Sequence, residues 1–160
     1  MEIFHEEADK QEISLNALLN KVMKDYSKYR RWLERFGFVL ISHPTFARLI
    51  DCSPENNLKD AAKKPGSMGV INSLQSIGIP PTFYTLLGFI ENNLGASAKC
   101  FDYNDQLIGK KEIIHLRHEI GRKWSIFLAN QVISEIFKSI LGITTKSEIF
   151  DNSVTIEFIK

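Results

Sequence analysis

One feature constrains the fold of this chain more than any other. A helical run of about twenty residues, 121–141, lies between two stretches that each read as a pair of strands. Within the run Ile126, Ala129, Ile133, Ile136, Phe137 and Ile140 fall on one face, and Gln131, Ser134, Glu135 and Lys138 on the other. Gly142 stops it. Ahead of it, residues 100–104 and 111–118 read as strands joined by a turn at 107–110. Behind it, residues 146–150 and 154–158 form a second hairpin around 151–153, with clean alternation in the final strand. A β-β-α-β-β order with antiparallel pairs predicts an α+β class, a helix laid across a small sheet.

The front of the chain follows a different rule. Residues 1–10 read as a helix rich in Glu with few breakers. Ser14 is a good N-cap for a second helix, in which Leu15, Leu18, Leu19, Val22 and Met23 share one face. Two such short helices cannot form a core alone and need a partner chain or the rest of this one. The second helix is expected to run on to about Phe36, with Tyr26, Tyr29, Trp32 or Leu33, and Phe36 extending the stripe. Residues 21–35 carry Lys21, Lys24, Lys28, Arg30, Arg31 and Arg35 against Asp25 and Glu34. Basic groups among aromatics could form a nucleic-acid surface. Alternating charged and apolar residues is what any surface helix shows, however, and the favoured reading is a solvated helix face with its aromatic stripe packed on the next domain.

Gly37 ends that helix, which divides the chain into 1–36 and 37–160. Residues 38–41 are a short strand candidate, and 42–45 look like a helix start, with Pro44 in the first turn and Phe46, Leu49 and Ile50 on the apolar face. His43 beside the cap reads as a turn residue. A short helix is expected over 54–64, a helix or buried turn over 68–74, and a further helix over 81–90 that ends near 92–95.

Composition narrows the function. The 160 residues carry a net charge of +1, so no global basic field advertises nucleic acid. Cys52 and Cys100 form no framework, which fits a reducing cytoplasm. Neither a signal peptide nor a long apolar run is visible, which predicts a cytoplasmic protein with no membrane role. No nucleophile elbow, phosphate loop, dinucleotide fingerprint or zinc motif occurs, so neither an enzyme nor a cofactor is expected. His115 and His118 lie three apart on a strand and point to opposite faces, which argues against a shared metal. Arg117, His118, Arg122 and Lys123 cluster at the strand-to-helix junction beside Gly121. They read as an anion site for a phosphate or ligand carboxylate, or as surface cations paired with local carboxylates such as Glu119. Trp124 beside them reads as a core anchor.

Glu6-Glu7-Ala8, the turn at Gln11-Glu12 and the helix opening Ile13-Ser14-Leu15-Asn16-Ala17-Leu18-Leu19 together resemble the ribbon-helix-helix family of DNA-binding proteins. The resemblance implies a homodimer whose paired N-terminal strands enter the major groove, with the start of the second helix on backbone phosphate. It implies phosphate contacts from Ser14 and Asn16, joined by Lys21, Arg30 and Arg31, and a dimer core of Ile13, Leu15, Leu18, Leu19 and Val22. The reading strand belongs just before Ile3, where this sequence has no chain for it. The expectation is an upstream start, or a protein that kept the dimer-forming helices and lost base readout. The tail, 114–155, resembles uncharacterised archaeal proteins with a similar front end, and its order of elements is similar to sensor domains of the 4-vinyl-reductase type. The expected function is a transcriptional regulator that binds DNA as a dimer, with a C-terminal domain that senses a ligand or binds a partner. The alternative is an oligomeric interaction protein or small-ligand sensor without DNA binding.

Overall fold

The computed structural model describes residues 2–30, 41–63, 70–72, 74–75, 78–109 and 111–159. The chain divides into two compact units, Met1–Leu40 and Ile41–Lys160.

In the first unit, α1 (Glu2–Lys10) and α2 (Leu15–Asp25) are joined by a tight reversal. The amide of Ile13 donates to Ala8 O and that of Glu12 to Asp9 O, both at 3.1 Å, so the last carbonyls of α1 are satisfied by a Schellman turn. That turn places Glu12 at φ 53°, a left-handed conformation normally given to glycine. Ser14 then caps α2, its Oγ accepting from the Ala17 amide at 3.2 Å. Ala8 and Leu18 are the buried side chains of the two helices. After Asp25 the winding loosens into a π-helical stretch, Tyr26–Arg30. The expected continuation through 31–36, and most of the strand expected at 38–41, lie outside the described residues.

The second unit is the α+β domain. It opens with α3 (His43–Cys52) and α4 (Glu55–Lys63), followed by α5 (Phe83–Phe89), which continues as a π-helical stretch, Ile90–Ser97. Thr82 starts α5 with a reciprocal cap shared with Thr85. The strands are β1 (Asp102–Ile108), β2 (Lys111–Arg117), β3 (Thr144–Ile149) and β4 (Ser153–Ile159). They form one antiparallel sheet in the order β1-β2-β4-β3. Between the hairpins runs a continuous helical segment: α6 (Arg122–Ile126), a π-helical stretch Phe127–Ile133, and α7 (Ser134–Leu141). Gly142 closes it at φ 69°.

Helix and sheet bury one shared core. Leu128, Ala129, Ile133, Ile136 and Phe137 join Ile114, Leu116, Val154, Ile156 and Phe158 of the sheet and Leu86 and Ile90 of the preceding helix. Phe137 is central: its ring lies 4.5 Å from Phe158 and 5.5 Å from Phe83, and Phe83 meets Phe158 edge-on at 5.1 Å. Trp124 is buried, stacked on Phe127 at 5.1 Å and met edge-on by Phe46 at 5.0 Å.

Several boundaries differ from the sequence reading, each for a physical reason. The first strand is Asp102–Ile108, not 100–104, and the ladder runs out to Ile108↔Lys111, so Leu107 and Ile108 belong to the strand and not to the turn. The β1 sequence DYNDQLI has no alternation to announce a strand, and pairing with β2 defines it instead. The third strand begins at Thr144, and the helix over 81–90 continues as far as Ser97. Ser134 and Glu135, assigned to the polar face, are half-buried, while Leu128 enters the core. The expected face holds through both halves, with Ala129, Ile133, Ile136 and Phe137 buried and Ile126 and Ile140 half-buried, and it is widened by Leu128 and the half-buried Ser134. Ser134 Oγ accordingly donates inward to Ala129 O at 2.6 Å and meets Thr145 Oγ1.

Two stability changes follow. Phe137→Ala removes the middle ring of the three and is expected to cost about 3–5 kcal/mol in urea unfolding. Glu12→Gly relieves the left-handed turn and is expected to stabilise the first unit by about 0.5–1 kcal/mol, read as slower amide exchange in α1 and α2.

Candidate functional site

The first unit places the residues expected to meet DNA as follows. Ser14 and Asn16 are exposed at the start of α2, with Ser14 Oγ committed to its own helix. Lys21 Nζ donates to Gln11 Oε1 at 2.9 Å, which brings this cation back toward the α1–α2 turn and the N-terminal end of α2. Arg30 is elsewhere, its Nε paired with Asp25 at 2.8 Å. Arg31 lies outside the described residues. Ser14, Asn16 and Lys21 thus belong to one end of the unit, and Arg30 to the other.

The residues assigned to a dimer core form a gradient. Leu18 is buried, Ile13, Leu15 and Leu19 are half-buried, and Val22 is 46% exposed. The stripe continues outward through Met23, 69% exposed, and Tyr26, with Ile3 of α1 at 78%. An apolar surface of this kind on a two-helix unit is unusual for a surface facing only water.

The four residues at the strand-to-helix junction do not form a cationic cluster. His118 is buried and bonded on both ring nitrogens: Nδ1 accepts from the Ile120 amide at 3.2 Å, and Nε2 meets Ser125 Oγ at 2.9 Å. An acceptor Nδ1 requires the proton on Nε2, which donates to Ser125, and the serine hydroxyl turns to Asp151 O at 3.4 Å. Burial, with His43 nearby, pushes the His118 pKa below the ordinary histidine value, so the ring is held neutral. Lys123 Nζ donates to the carbonyls of Asp51 and Ser53, the latter at 2.9 Å, and so satisfies the C-terminal end of α3. Arg122 bonds Ile149 O at 3.4 Å and stands 3.6 Å from Asp151. Arg117 is exposed at the end of β2, opposite Asp102 and Ser153. A groove of about 400 Å³ does pass Arg122 and Lys123, but Asp51 and Glu55 line it too, so its charge is mixed. Lys123 therefore serves the fold, and the sequence grouped it with its neighbours because it could not show the carbonyls at the end of α3.

His115 is separate from His118. It points to the outer face of the sheet, Nδ1 3.0 Å from Thr155 Oγ1, in a shallow groove of about 290 Å³ with Gln106, Ile113, Lys146, Glu148 and Glu157. There Lys111 pairs with Glu157 at 2.6 Å and lowers the pKa of that carboxylate. Among the described residues no group of three His, Cys, Asp or Glu side chains could hold a metal ion. Burial pushes the Cys100 thiol up to about 11, which leaves it protonated and inert. Tyr103 is also raised, first by burial and then by Asp105, Glu91 and Glu112. Sequence reasoning missed the His118–Ser125 pair, seven residues apart, because only the strand-to-helix turn brings them together.

Comparison with known proteins finds no matching family model, no similar curated protein and no similar solved structure.

The neutral His118 gives stability a definite pH dependence. The unfolded chain takes up a proton below about pH 6.5 while the folded one resists, so this contribution is complete above that pH and is lost as pH falls. The melting temperature is expected to drop between pH 7.5 and 5.5. His118→Gln, which keeps a donor toward Ser125, is expected to flatten that profile.

Proposed function

We propose that the chain is a cytoplasmic, DNA-associating regulator that acts as a homodimer through its N-terminal helices, with the α+β domain as its sensing or partner-binding part. The observation that carries this reading is the exposed stripe Val22, Met23 and Tyr26 on a helix whose opposite end is capped by Ser14 and flanked by Asn16 and Lys21. A second copy covering the stripe would present two helix N-termini, each with first-turn amides, Asn16 and Lys21 available to a phosphate. Such contacts fix position on a duplex without reading bases, so these residues supply affinity and register, not sequence choice. No helix among the described residues is long and apolar enough to cross a membrane, in keeping with this reading.

The second reading, a small-ligand sensor or interaction protein without DNA, draws support from the outer face of the sheet, where the His115–Thr155 pair sits in an open polar groove.

Titration of labelled duplex DNA with the full chain across a salt series separates the two. Binding is expected to weaken steeply with salt, and Lys21→Ala is expected to reduce the slope of log K against log salt by about 1, the share of one phosphate contact. Absence of binding at low salt would sink the DNA reading and leave the second.

A further inference from the structure

The sheet ends in two edges, and the two are built differently. β1 carries Asp105 at a position paired with Ile114, on the face that carries the core, so a charge points inward from an edge strand. Antiparallel pairing of β1 with its own copy about its centre would set Asp105 against Asp105, a like-charge contact that disfavours association. β3 has no strand on its outer side among the described residues. Its inward positions, Thr145, Ser147 and Ile149, are uncharged and half-buried, and its outward ones are Thr144, Lys146 and Glu148.

The order of those residues is self-complementary. If β3 pairs antiparallel with β3 of a second copy about a two-fold axis at Ser147, Lys146 of each chain falls opposite Glu148 of the other. Thr145 falls opposite Ile149 on the inner face. The charge row then alternates across the joint: Glu157, Lys146, Glu148 of the second copy and its Thr155, since Lys146 already stands opposite Glu157 and Glu148 opposite Thr155 within one sheet. Thr144 falls opposite Phe150, which brings this exposed ring toward Ile159, exposed on the next strand of the other copy. We propose that β3 is a self-association edge, and that two copies of this chain join their α+β domains there into one continuous eight-stranded sheet. The register argues for the partner: a second β3, run antiparallel, matches both charges at once. This contact does not depend on how the N-terminal helices associate.

A cross-link tests it in the full chain. Ser147→Cys, made in a Cys52→Ser background, places two thiols on the axis, where opposed strand residues lie about 4.5–5.5 Å apart at Cα, within disulfide reach. Mild oxidation is expected to give covalent dimer about tenfold or more faster than for Asp105→Cys in the same background, because the effective concentration of paired thiols far exceeds that of colliding chains. Adding Lys146→Glu turns two attractive pairs into repulsive ones and is expected to slow cross-linking roughly tenfold. Adding Glu148→Lys as well restores the pairs with their signs exchanged and is expected to return the rate. Equal rates for Ser147→Cys and Asp105→Cys would overturn the proposal, as would a double charge reversal that does not recover.

Discussion

The second unit depends on three aromatic rings. Phe83 from the helix before the sheet, Phe137 from the helix between the hairpins and Phe158 from the last strand meet within 5.5 Å of one another. Phe83 is far in sequence from both Phe137 and Phe158, so their meeting closes long loops and makes up for the entropy of doing so with aromatic burial. Because Phe158 lies on a central strand and Phe137 near the end of the helix, the contact fixes which face of the sheet is covered. The uncovered outer face follows from that choice.

Around this core the polar residues act as fasteners. Lys123 satisfies the last carbonyls of α3, and His118 with Ser125 fixes the turn from β2 into the helix against the β3–β4 hairpin. Each of these groups would suit a binding site in another setting. Here the hydrogen bonds are made internally, and an unmade one in a buried place would be costly. Open polar chemistry remains on the outer face of the sheet, where His115 and Thr155 sit in a groove, and along the β3 edge.

The first unit works by a different economy. Its helices are held by local devices, a Schellman turn and a serine cap, more than by burial. Ala8 and Leu18 are fully covered, and the stripe toward Val22 and Met23 is not. Local devices specify a helix pair, but a stable core of this size needs apolar surface from elsewhere. This is the physical ground for reading the unit as one part of an assembly.

The sequence by itself determined the elements that local chemistry controls. The cap at Ser14, the stop at Gly142, the β-β-α-β-β order and the α+β class were all legible, because caps, left-handed turns and period-two alternation are written within a few residues. Tertiary structure decided the rest. It set the register of β1, whose residues carry no alternation, and widened the buried face of the long helix to Leu128 and the half-buried Ser134. It also decided the fate of the junction cations. Arg117, His118, Arg122 and Lys123 are neighbours in sequence, yet the partners of the last three are carbonyls and a hydroxyl brought from other elements, while Arg117 is exposed. A linear pattern records which groups are charged; only the folded chain records which of them are already satisfied.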